Sequence, residues 1–137
     1  MSVEERKTIG DKDFDNRLDQ LTGMTVLYGG FLGGTEERHI SFDREKIVAE
    51  RHGYNGFYPE LTDDGELYKD QSRTSLIEGF KELHIGRWKK RYYNPDVLDG
   101  TQWEVTFFFS DGTTVEAGGS NSFPANFRKF LKLMEMK

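Results

Sequence analysis

The sequence predicts an α+β domain: a single antiparallel sheet of about five strands with two or three helices packed on one of its faces. Three features carry that expectation. From Gly100 to Gly119, apolar and polar residues alternate on either side of Ser110-Asp111-Gly112, the period of a half-buried hairpin. Two segments, Ser72–His84 and Pro124–Met134, instead repeat apolar residues at helical spacing. The length of 137 residues is that of one domain, and 11 Phe, 6 Tyr and 2 Trp offset a hydrophobic content of only 35%.

The elements follow in chain order. Residues 1–22 form a polar N-terminal segment in which Phe14, Leu18 and Leu21 share a face, so Asp13–Leu21 is expected to pack a helix on the domain. Thr25–Tyr28 is a short strand between glycines. His39–Phe42 and Lys46–Ala49 read as a hairpin turning at Asp43-Arg44-Glu45. Residues 53–70, with Gly53, Gly56, Pro59 and Asp63-Asp64-Gly65, read as a long irregular connection. Ser72 is placed to cap the next helix, whose face holds Leu76, Ile77, Phe80 and Leu83, and Gly86 is placed to end it.

For the closing hairpin the loop length follows from burial. A two-residue Asp-Gly loop would set Phe107 opposite Glu116, whereas a three-residue Ser-Asp-Gly loop sets Phe107 opposite Val115 and Val105 opposite Ala117. Register follows the buried face, so the longer loop is expected, with Gly112 left-handed. Trp103, Phe107, Phe80 and Phe130 are then expected to meet in one core. The last helix should carry Phe127, Phe130, Leu131 and Met134 inward, capped by Asn121 or Ser122 with Pro124 in its first turn.

Composition bounds the setting. There is no cysteine, so no disulfide, thiolate metal site or cysteine nucleophile is available. Met1–Arg6 lacks the apolar run of a signal peptide, and no stretch approaches the roughly 20 apolar residues of a membrane span. A soluble, cytoplasmic protein without membrane contact is expected. The net charge is −5, unevenly spread: residues 1–70 hold 16 acids and 9 bases, residues 71–137 hold 8 acids and 10 bases.

The run Asp99-Gly100-Thr101-Gln102-Trp103, then Phe109-Ser110-Asp111-Gly112-Thr113 and Gly119-Ser120-Asn121-Ser122-Phe123-Pro124, resembles small, functionally uncharacterised bacterial α+β proteins. Those join a glycine-glycine strand near the start to a closing segment of this kind. The shared motifs are turns and caps, so the resemblance implies the fold and transfers no activity.

Several constellations were candidates for chemistry. Asp11-Lys12-Asp13-Phe14-Asp15 opens like a calcium loop, but Asn16 stands where glycine makes the turn and Thr22 where a bidentate glutamate belongs. His39, His52 and His84 have no local metal-ligand spacing, although a fold could gather them with Asp43 or Glu50. Gly118-Gly119-Ser120-Asn121 lacks the phosphate-loop pattern and reads as a turn with its cap. No nucleophile elbow is present.

One segment stands out. Arg87, Trp88, Lys89, Lys90, Arg91 and Tyr92, followed by Tyr93, put four bases in five residues among three aromatics, and no acid lies between Leu83 and Asp96. Cations and rings so interleaved suit an acidic protein surface or a nucleic acid, the latter disfavoured by the net negative charge. The expectation is a non-catalytic binding or protein-interaction module of bacterial or phage type, with another protein as partner and no cofactor or metal. The alternatives are a small hydrolase using carboxylates or a histidine, and a phage or mobile-element inhibitor of a host enzyme.

Overall fold

The computed structural model describes residues 8–30, 34–55, 58–63, 68, 71–94 and 100–136. The fold is α+β, with strands in the sheet order β4-β3-β2-β1-β6-β7-β5. Helix α1 (Asp11–Arg17) leads through a 3-10 turn (Leu18–Gln20) into β1 (Leu21–Gly30). The strands β2 (Gly34–Ser41), β3 (Val48–Asn55) and β4 (Tyr58–Asp63) continue as an antiparallel meander. Then come α2 (Arg73–Glu82), a 3-10 turn (Ile85–Arg87), the short β5 (Arg91–Tyr93), the hairpin β6 (Thr101–Phe109) and β7 (Thr114–Ser120), and α3 (Phe127–Leu133).

The sheet is wider than expected by two strands, and it is mixed, because β5 pairs parallel to β7. Part of the expected connection over residues 53–70 is instead strand: β3 runs on to Asn55, and β4 pairs back on it with Pro59 opposite Tyr54. Pro59 suits an edge strand, where a missing N–H breaks no inner ladder. The helix expected through Leu21 gives up its α-helical hydrogen bonding after Arg17, yet Phe14, Leu18 and Leu21 all reach the core as their spacing requires.

The three described helices all cover the face of the sheet that bears Trp103 and Phe107. The Phe107 ring meets Phe14 of α1 at 4.9 Å and Phe80 of α2 at 5.7 Å, and Trp103 meets Phe127 of α3 at 4.6 Å. Trp103, Phe107, Phe80 and Phe130 are buried together as expected. The hairpin has the three-residue loop: Phe107 faces Val115, Val105 faces Ala117, and Gly112 is left-handed at φ 86°.

The caps partly depart from expectation. Ser72 caps α2 in a reciprocal pair with Ser75, while Glu45 adds a carboxylate to the Thr74 N–H at 2.9 Å. The left-handed residue ending α2 is His84, at φ 50°, rather than Gly86. Gly86 lies in the following 3-10 turn, where its carbonyl accepts the Gly10 N–H. At α3 the N-cap position falls to Asn126, not Asn121 or Ser122, and no side chain caps it.

Candidate binding surface around β5

The basic segment begins where α2 ends. After the His84 reversal, the Ile9 N–H donates to the Trp88 carbonyl and the Gly10 N–H to the Gly86 carbonyl, tying the chain before α1 against this turn. Trp88 then plunges inward and is 3% exposed. Its indole Nε1–H donates to Asn126 Oδ1 at 2.9 Å, and its ring sits edge-on to Trp103 and Phe130. Asn126 also donates to the Leu83 carbonyl, so one amide joins the ends of α2 and α3 to the indole. Trp88 is therefore scaffold and offers no ring to a partner, a correction to its place among the candidate contact residues. An indole beside so many core rings gains more from burial than from exposure.

The rest of the segment stays outside the core. Arg87, Lys89 and Arg91 are exposed, and Lys90 is half-buried. Tyr92 is half-buried against Trp103, accepts the Lys89 N–H on its hydroxyl at 2.9 Å, and has the Lys89 ammonium 6.0 Å from its ring. Burial pushes the Tyr92 phenol up from its ordinary value, against the Lys89 hydrogen bond. Tyr93 points the other way, onto the sheet face that no described helix covers, and is 67% exposed. Beside it Arg91 lies 4.0 Å from Glu104, an exposed pair of little energetic weight. Gly118 makes room there, since a Cβ at that position would fall 2.8 Å from Arg91 Nη1.

The fold adds residues that linear spacing had not associated with the segment. Ile9, Arg17, Lys90, Arg91 and residues 114–116 of β7 line a half-open cleft of about 630 Å³. Arg17 is held over the Phe109 ring at 4.2 Å while donating to Thr113 Oγ1. Nothing in the sequence around Arg17 marks it, because its partners lie nearly a hundred residues away.

On the bare face, the structure brings His39 and His52 together, with rings 5.0 Å apart, but His84 ends α2 on the other layer. Glu37 lies 3.3 Å from His39 and Glu50 lies 3.5 Å from His52, while Asp43 is bonded to Ser41 in the turn. Among the described residues no group of three or more such side chains is placed to hold a metal ion. Gly118, Gly119 and Ser120 are strand residues of β7, neither the expected turn with its cap nor an anion-binding loop.

Among the described residues no helix is long and apolar enough to cross a membrane. No protein-family model, curated protein or solved structure matches this chain.

Proposed function

We propose that the protein is a binding module that engages another protein through the surface built by Arg87, Lys89, Lys90, Arg91 and the rings of Tyr92 and Tyr93. The observation that carries this reading is the exposure of Tyr93 on a bare sheet face beside Arg91, with Lys89 and Lys90 on the same short segment. An exposed tyrosine next to an arginine is a composition that protein interfaces favour. Of the groups with shifted pKa values, Tyr92 belongs to this surface, whereas Arg38 and Tyr68 lie together under the last helix and Glu45 and Asp111 serve a helix start and a turn.

The test is affinity capture from the native host with wild type and a Lys89/Lys90/Arg91 triple alanine variant. A protein retained by wild type, lost by the variant and weakened by salt is the expected result. Equal retention by both would overturn the reading, and retention of nucleic acid in place of protein would replace it.

A further inference from the structure

The outer edge of β7 is only partly used. Strand β5 covers Gly118–Ser120, while Thr114, Val115 and Glu116 pair with β6 on one side and with no strand on the other among the described residues. The direction of their main-chain groups follows from the hairpin. The Phe109 N–H donates to the Thr113 carbonyl, so Thr113 faces β6. The Gly118 N–H donates to the Lys90 carbonyl and the Ser120 carbonyl accepts from Asn94, so these even-numbered residues face outward. Bonding alternates along an antiparallel strand, hence Thr114 and Glu116 also present N–H and C=O outward. That edge forms one wall of the cleft that holds Arg17, Lys90 and Arg91 against a single lining carboxylate, Glu116.

We propose that this edge takes up an extended acidic segment of the partner protein as an added strand. The inference rests on the binding reading above and specifies its chemistry. An incoming strand would complete the main-chain bonds of Thr114 and Glu116. Its side chains alternate between the two faces, and cations stand ready for acidic ones. An uncovered edge is ordinarily a liability, and cations around it admit an acidic strand while repelling basic ones.

The discriminating position is Glu116. Its N–H points away from β6, so Glu116→Pro removes an outward donor and leaves the hairpin ladder intact. Glu116→Gln removes the same charge and keeps the donor. The probe is a short fluorescein-labelled peptide of alternating Glu and Val, titrated by anisotropy, with the fold of each variant checked by thermal unfolding.

Glu116→Gln should bind as tightly as wild type or more tightly. Glu116→Pro should bind about fivefold more weakly than Glu116→Gln, the worth of one main-chain hydrogen bond. Amide exchange in the wild-type protein supplies a measurement independent of either variant, with Thr114 and Glu116 gaining protection when peptide is added. Should the two Glu116 variants bind alike and neither amide gain protection, while the Lys89/Lys90/Arg91 triple alanine loses the peptide, added-strand docking is wrong and the binding surface stands. If wild type ignores the peptide and the triple alanine matches wild type in host capture, both fail. Displacement of the peptide by single-stranded DNA, with Glu116→Pro without effect, would also overturn the inference.

Discussion

The guanidinium of Arg38, in the middle of β2, donates to the main-chain carbonyl of Met134 at the end of α3. The same nitrogen, Nη1, reaches the Tyr68 hydroxyl at 3.0 Å, while Nη2 donates to the Glu135 carbonyl at 2.9 Å and Nε to the Glu36 carboxylate at 2.7 Å. Tyr68 in turn donates to the Met134 carbonyl at 3.0 Å. The helix ends in a reversal with Glu135 left-handed, the Met136 N–H reaching Leu131 and the Glu135 N–H reaching Lys132. Arg38 takes carbonyls that this reversal leaves over. It is 2% exposed, and burial works against its charge, but Tyr68 and Glu36 outweigh that and hold the guanidinium above its ordinary pKa.

Removing that side chain strands the part-buried Glu135 carbonyl and takes the nearer cation from the Glu36 carboxylate. It also takes one partner each from the Met134 carbonyl and the Tyr68 hydroxyl, which keep their bond to each other. Arg38→Ala is expected to cost about 3–5 kcal/mol by urea denaturation. Arg38→Lys should recover little of it, because one ammonium cannot span carbonyls, hydroxyl and carboxylate together. A loss below about 1 kcal/mol for Arg38→Ala would show that water replaces the guanidinium at no cost.

Two helix ends use non-glycine residues in the left-handed region, and they should respond differently to glycine. His84, at φ 50°, is exposed, so His84→Gly should raise stability by about 0.5–1 kcal/mol. Glu135, at φ 54°, also accepts the Tyr68 N–H on its carboxylate at 3.0 Å. Glu135→Gly should therefore gain less than His84→Gly, or lose. Thermal unfolding of the two variants in parallel decides it, and equal gains would show that the Tyr68 bond contributes nothing.

Glu45 gives the start of α2 a pH dependence. Hydrogen bonds from the Thr74 backbone N–H and then its hydroxyl pull the carboxyl below its ordinary value, against slight desolvation and with help from Ser72 and Arg73. A group whose folded pKa is depressed stabilises above its unfolded pKa and loses that contribution as pH falls through the folded one. Melts of wild type and Glu45→Gln should differ near neutral pH, and the gap should close as pH falls below the ordinary glutamate range and through the depressed folded pKa. A gap that persisted in acid would assign the effect to packing instead of charge.

Sequence periodicity was most informative where one physical demand dominated. Alternation from Trp103 to Phe109 has only one register that buries a single face, and the hairpin adopts it. The face of Leu76 and Phe80 likewise needs only local spacing. Misreadings arose where a residue's local preference yielded to a distant partner. Asn126 carries the N-cap position of α3, yet its amide is committed to Trp88 and Leu83. Pro59 looks like a loop residue until β3 supplies a strand to pair with. Arg38 has a short charged context, Glu36-Glu37-Arg38-His39, and only the return of the chain ninety-six residues later gives it carbonyls to bind. In the basic segment, four cations were legible as surface, but the inward turn of Trp88 depends on a cavity made by Trp103, Phe127 and Phe130.

The contrast between Trp88 and Tyr93 separates scaffold from contact within one short segment. Trp88 packs among core rings and its Nε1–H is bonded, so Trp88→Ala opens a cavity and orphans Asn126 Oδ1. The expected cost is about 3–5 kcal/mol. Tyr93 makes no core contact, and Tyr93→Ala should change stability by less than about 0.5 kcal/mol. Its loss should instead be felt in binding, because an exposed ring next to Arg91 is the part of this surface that a partner would desolvate. Trp88→Phe offers the control: it refills most of the ring volume while losing the indole donor, so it should recover most of the stability and leave binding unchanged. Urea denaturation and capture of the host partner, run on all three variants, read the two properties separately. Unchanged capture by Tyr93→Ala at full stability would remove Tyr93 from the contact surface and move the search for the partner's footprint to the cleft beside β7.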